Sequence, residues 1–402
     1  MRCLNLKLIW IAPECPYPAN TGGRVGIWKR IEYLSKNNDI YLYCITDNLT
    51  EDQYVGKMKE YCKDVHLYSR INLHKALFSS IANPYPAVSR WNLNMKKDIS
   101  YTYDMLVPDF VIVDLPQMLG VLTEKILMSN KIVLNQHNIE YQSLESIASS
   151  FNNRLKRLIY KIVSKQMKLY EDKIYNTYSI KLYSFVSICD KEFFEKKYFI
   201  TNTKHVPVGA ELKFDKEIKK DCHKMIFVAK MSYPANEDGA LWLIDNVWNY
   251  VKEEIPDAEL YLVGKNPSDR LKSKYSKNNG IIITGTVESI EKYYEMCNLV
   301  VVPIMTGGGV KVKLLEALGH GKIVITTTKG LEGTDFISNK HVLTADNSKE
   351  FANYCISVLK DPLQYEFIQK AAIKKMNKEY SWQGIMDDFE HSLLRMRKTN
   401  ES

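Results

Sequence analysis

Residues 299–322 read LVVVPIMTGGGVKVKLLEALGHGK. The opening LVVVPI is a short, unbroken apolar run, as expected of a strand buried on both faces of a parallel sheet. Gly307, Gly308 and Gly309 then interrupt it. Beyond them Val312, Leu314, Leu315, Ala317 and Leu318 mark a helix expected to begin near Val310. Strand, glycine turn and helix form one half of a β-α-β unit, and the turn falls at the carboxyl edge of the sheet, where open α/β sheets bind ligands.

The same rhythm extends in both directions. Further strands are expected at KMIFVAK (224–230), AELYLVG (258–264), GIIITG (280–285), IVITTT (323–328) and VLTA (342–345), with helices at 235–254, 287–297, 311–320 and 349–360. The first half supplies LKLIWIA (6–12), DIYLYCIT (39–46), FVIVDL (110–115), KIVLNQH (131–137) and YSFVSIC (183–189). A chain of 402 residues suits two domains, and two sets of alternating strands and helices predict two Rossmann-like, doubly wound α/β domains facing across a cleft. The rhythm breaks near 206–222, at Pro207, Gly209 and a charged run, so residues 1–210 are read as one domain and 211–379 as the other.

Composition is that of a globular protein, 45% hydrophobic and 25% charged. The net charge of +8 leans weakly toward anionic partners. The 8 cysteines are scattered with no CxxC pair, so neither a disulfide framework nor a zinc site is indicated. Several, as in YLYCIT and FVSIC, read as small buried hydrophobes. No apolar stretch reaches 18 residues, so no membrane span is expected and the chain is placed in the cytoplasm.

Candidate functional residues lie just after the strands. Gly22 and Gly23 read as a turn entering a helix from about Arg24, either structural or presenting free N–H groups to a phosphate. Gly307–Gly309 repeat that arrangement with more freedom for an anion to approach. Glu316, about two turns or roughly 10 Å into the following helix, is placed to hold the hydroxyls of a ribose whose diphosphate sits at the glycines. Its alternative is a surface pairing with Lys311 or Lys313. His137 closes its strand at the ligand edge, as a structural or a site histidine. Lys230 ends the first strand of the second half, as a phosphate ligand or a plain surface lysine. GGGVKVK has neither P-loop nor dinucleotide spacing, and no Asp-x-Asp occurs, so no metal is expected.

These segments resemble the group 1 (family 4) glycosyltransferases of the GT-B fold, in the branch common in bacterial surface-polysaccharide clusters. The likeness runs through PYPANTGGR, NQHNIEYQSLES (135–146), VPVGAE (206–211), FVAKMSYPANEDGALWLI, the 299–322 segment and EYSW (379–382). It implies a nucleotide-diphosphate sugar as donor and a glycan, lipid-linked or other acceptor, with retention of configuration, no metal, and the leaving diphosphate helping to deprotonate the acceptor. Gly22, Gly23 and Lys230 then face the diphosphate, together with Gly307, Gly308, Gly309 and Val310. Glu316 holds the ribose, His137 faces the donor sugar near its reacting carbon, and residues 380–402 cross back to the first domain. Three positions depart from the pattern: Gly308 where many relatives carry Glu, Asn236 where a second basic residue is usual, and Ala229 where Gly is usual. Lys311 and Lys313 are expected to restore the lost charge. A nucleotide-sugar epimerase of the same fold, or a silent partner subunit, is the alternative.

One motif lies outside this scheme. FNNRLKRLIYKIVSKQMKLY (151–170) carries six basic residues and no acidic one, within a helix expected at 152–178. Arg157, Lys161, Lys165 and Lys168 make a basic stripe; Leu155, Leu158, Ile159, Ile162 and Leu169 make an apolar one. The pattern fits a surface helix whose apolar stripe packs on its own core, or a peripheral contact with the inner face of a membrane.

Overall fold

The computed structural model describes residues 5–47, 49–71, 83–151, 153–214, 218–220, 222–275 and 280–401. The chain divides into two compact units, Met1–Val208 with Trp382–Ser402, and Gly209–Ser381.

Unit 1 is built on a parallel sheet of order β3-β2-β1-β4-β5-β6-β7. Its strands are β1 (Lys7–Ala12), β2 (Asp39–Thr46), β3 (Asp64–Ser69), β4 (Phe110–Asp114), β5 (Ile132–Gln136), β6 (Ile180–Phe185) and β7 (Thr203–His205). The apolar central strands β1, β4 and β5 are buried almost throughout, which fixes this sheet as the middle layer. Helix α1 (Gly22–Leu34) follows β1, and α2 (Glu140–Ser150) follows β5. The long α3 (Arg154–Thr177) packs back along α2.

Unit 2 repeats the plan with β10-β9-β8-β11-β12-β13, all pairs parallel. These strands are β8 (Lys224–Val228), β9 (Glu259–Val263), β10 (Ile281–Gly285), β11 (Leu299–Val302), β12 (Ile323–Thr326) and β13 (Leu343–Thr344). Helix α4 (Pro234–Leu243) follows β8, and α5 (Val312–Gly319) follows β11. Gly239 lets α4 lie directly on the chain leaving β11, since a Cβ there would come within 2.2 Å of the Pro303 carbonyl oxygen. The closing helix α6 (Trp382–Glu401) packs on α1 within unit 1.

In both sheets the strand order reverses beside the first strand, between β1 and β4 and between β8 and β11. Such switch points open a crevice at the carboxyl edge.

Several expectations need correction. The segment at 183–189 is a strand only to Phe185; Ile188 already begins a helix, and Cys189 on it is exposed rather than buried. The helix expected at 287–297 is only Glu291–Glu295. The apolar stripe of α3 does not face the core. Leu155, Leu158, Ile159, Ile162 and Leu169 are 49–67% exposed, and the buried face is instead Ser164, Met167, Glu171, Ile174 and Tyr175. Cys3 and Asn152 lie outside the described residues.

Candidate functional site

In unit 2 the chain leaving β11 turns through Gly307 and Gly309 at φ of +94° and +72°, a left-handed backbone that glycine adopts without strain. Helix α5 therefore starts at Val312, with Lys311 at the N-cap, two residues later than the sequence suggested. Val310 precedes it in the loop. Glu316 accordingly stands little more than one turn into α5, about 6 Å along the axis rather than 10 Å.

The two lysines turn away from Glu316. The Lys311 ammonium donates to the carbonyl oxygens of Gly308 and Gly309, at 3.2 and 2.5 Å, and ties the glycine loop to the helix start. Lys313 donates to Asn236 Oδ1 at 2.6 Å, and the Asn236 amide nitrogen donates to the Lys230 carbonyl oxygen at 2.8 Å. The structure thus joins β8's exit, the first turns of α4 and the start of α5. Burial, with Lys311 nearby, pushes the Lys313 ammonium down to about 8, and among the described residues no carboxylate pairs with it. Lys230 itself is exposed, two residues beyond the end of β8.

Glu316 takes its position from a residue the sequence did not single out. The Tyr294 hydroxyl donates to Glu316 Oε2 at 3.3 Å, and the Tyr294 ring stacks on His320, centroids 4.1 Å apart. Burial pushes the Glu316 carboxyl above its ordinary range, with the tyrosine hydroxyl pulling partly back. Burial likewise drives the His320 ring down to about 4, so it is neutral at physiological pH.

In unit 1, Gly22 and Gly23 are the first residues of α1 rather than a turn before it. Thr21 caps the helix, its hydroxyl accepting from the Arg24 N–H. Both glycines are exposed, and a Cβ on Gly23 would meet only Glu14 Oε1 at 3.4 Å, ordinary contact. Arg24 is held by Glu14 and Glu51, each at 2.9 Å.

His137 directly follows β5, partly exposed, with Nε2 3.2 Å from Asp114 Oδ1. Asp114 ends the neighbouring strand β4 and is wholly buried. Its carboxylate also accepts from Trp10 Nε1 at 2.6 Å and Asn135 Nδ2 at 2.9 Å. Burial alone would raise this carboxyl, but the hydrogen bonds from His137 and Asn135 and the positive charge of Arg30 outweigh it and hold it below the ordinary range. The sequence reading passed over Asp114; an acidic residue ending an otherwise apolar strand at the ligand edge was the available signal. Among the described residues no three His, Cys, Asp or Glu side chains are grouped to hold a metal ion.

Residues 222–361 match the family described as glycosyl transferases group 1. A protein of Klebsiella pneumoniae, described as an uncharacterized 44.6 kDa protein in the cps region, is 27% identical over 366 residues, covering 88% of this chain and 91% of its own. Among solved structures, sucrose-phosphate synthase of Thermosynechococcus elongatus superposes with a TM-score of 0.69 at 14% identity, covering 99% of this chain and 100% of that one. Anabaena HepE, solved with UDP, gives 0.64 at 12% identity over 97% and 100%. At these identities the two structures share the fold.

Proposed function

Since the chain is a group 1 glycosyltransferase of the GT-B fold, we propose that it transfers a hexose from a UDP-sugar to a glycan or lipid-linked acceptor, in surface-polysaccharide synthesis. The observation that carries the donor reading is Lys313, a half-buried cation with no carboxylate partner among the described residues, set beside a glycine loop and the start of a helix at the unit 2 switch point. Such a place favours an anion: the α5 N-terminus supplies partial positive charge and the glycines admit close approach. Lys311, Lys313 and Lys230 neutralise the diphosphate there without a metal. Glu316, held by Tyr294, accepts from the ribose hydroxyls. HepE has been solved with UDP-glucose, which supports UDP as the nucleotide. The cps-region relative supports the polysaccharide setting.

From unit 1, Gly22 and Gly23 give the diphosphate room at the exposed start of α1, and His137 contacts the donor sugar. In a retaining transfer the diphosphate leaves the anomeric carbon as the acceptor hydroxyl attacks, and takes up the hydroxyl proton. The protein's part is to orient both sugars and stabilise the departing charge. Membrane contact belongs to the same reading. The exposed apolar stripe of α3 beside its lysines suits an anionic lipid surface at the inner face of a membrane, where a lipid-linked acceptor is presented.

Calorimetric titration with UDP tests the donor site. Glu316→Ala should lose roughly 1.5–3 kcal/mol of binding, the usual worth of hydrogen bonds to a charged group, with the melting temperature kept. Unchanged affinity would remove Glu316 from the ribose. Release of UDP from UDP-glucose should continue in excess EDTA; loss restored by magnesium would show that a metal carries the diphosphate.

A further inference from the structure

His137 is pinned through one ring nitrogen and open at the other. Nε2 is 3.2 Å from a carboxylate that is fully buried, and among the described residues Nδ1 makes no hydrogen bond. An ionised carboxylate only accepts hydrogen bonds, so the proton of this contact must sit on Nε2. In the neutral ring Nδ1 then carries the lone pair. That ring projects from the carboxyl edge of β5, one strand from the unit 1 switch point, and its side chain is 19% exposed.

Asp114 is costly to keep for structure alone. A buried carboxylate requires compensation, and here it comes from four directions. Trp10 on β1 and Asn135 on β5 donate to its two oxygens, His137 donates a third bond, and the Arg30 guanidinium lends its charge from α1. Arg30 is itself 2% exposed, with Nη2 donating to the Val206 carbonyl oxygen at 2.7 Å and its other two guanidinium nitrogens without a hydrogen bond among the described residues. Asn135 is braced in turn by the Ser184 hydroxyl on β6. Residues on β1, β5 and α1 thus converge on the carboxylate that β4 carries, with β6 bracing Asn135 behind it, and the single partly exposed member of this cluster is the imidazole.

We propose that Asp114 is a positioning residue: it fixes His137 as the Nε2–H tautomer so that Nδ1 accepts a hydrogen bond from a sugar hydroxyl. The inference rests on His137 lying at the sugar site, and the two can fail separately. Asp114 never reaches the substrate; its effect passes through the ring it holds. The geometry resembles the orienting carboxylate of a hydrolase triad in logic only, because no proton need move through it.

Long-range 1H–15N correlation spectra of the full chain labelled at histidine nitrogen read the tautomer directly, with His137→Gln assigning the signal. The expected wild-type pattern is Nε2–H; an Nδ1–H pattern overturns the proposal without any change to Asp114. With UDP-glucose as donor, Asp114→Asn should lower kcat at least 10-fold, leave donor KM within about twofold, and populate the other tautomer. Adding Asp114→Asn to His137→Ala should cost nothing further, because the carboxylate then has no ring to hold. An additive loss, or a normal kcat in folded Asp114→Asn beside an impaired His137→Ala, overturns the role of Asp114. Normal turnover by His137→Ala overturns the site reading beneath it and the proposal with it.

Discussion

Lys313 on α5 meets Asn236 on α4. Asn236 stands where a second cation is usual in the sequences this chain resembles, and the Lys313 ammonium reaches its amide oxygen from another helix. Because burial holds its pKa near 8, below the unfolded value, the native state binds fewer protons than the unfolded one between about pH 8 and 10. Its charged form therefore costs stability below pH 8, and that cost disappears above the unfolded pKa. A diphosphate reverses the balance by favouring the ammonium. Binding of UDP at pH 8 should take up a fraction of a proton, seen as a dependence of the calorimetric heat on buffer ionisation enthalpy. Lys313→Met should abolish that uptake, weaken UDP at least 10-fold, and leave the free protein as stable or more so. An unchanged proton uptake would assign it elsewhere. Lys313 and Asn236 were both legible in the sequence, yet their meeting was not, since 77 residues separate them. Asp114 and Tyr294 were missed for a related reason. Each acts on a neighbour supplied by another strand or helix, and no local pattern reports that.

At the scale of elements, the buried parallel strands were readable from their unbroken apolar runs. The edge strands β3 and β7 were not; DVHLYS and TKH are half-exposed and carry no such run. Helix α3 was located to within about two residues, but its inward face was misjudged. That face is partly polar, and its polar groups are satisfied by α2. The Ser164 hydroxyl donates to the Tyr141 carbonyl oxygen, and Glu171 accepts the N–H groups of Glu140 and Tyr141. Burial and the nearby Glu140 push Glu171 up to about 8. With this hydrogen-bonded side turned in, the apolar stripe is left outside. The full chain should sediment with phosphatidylglycerol vesicles and not with phosphatidylcholine, less so at high salt, each lysine or arginine near the surface contributing about 1 kcal/mol. Leu158→Glu with Ile162→Glu should abolish sedimentation while keeping the melting temperature, because both side chains are already in water. Equal binding to both vesicle types would leave the basic stripe without a part in it, and no binding to either would leave α3 without a lipid role.

At the scale of the whole molecule, α6 is the element that closes unit 1. Phe389 and Leu393 are fully buried, and Asp388 and Arg397 pair with Lys204 and Asp109 at 2.6 and 3.1 Å. Ending the chain at Ser381 would uncover Trp382's pocket and those of Met386, Phe389 and Leu393, each worth about 1.5–3 kcal/mol when a side chain is fully buried. Limited proteolysis of that truncation should degrade unit 1 and spare Gly209–Ser381; equal resistance of both units would show that α6 is dispensable. The same topology sets an order of events during synthesis. The second unit is one continuous stretch, whereas the first is interrupted by about 170 residues and completed only by the last twenty or so. At about 5–20 residues per second, a nascent first unit waits on the order of ten seconds or more for its final helix. The later-made half can reach its native state before the earlier-made one, and over that interval the apolar groove left for α6 is the surface a chaperone would meet.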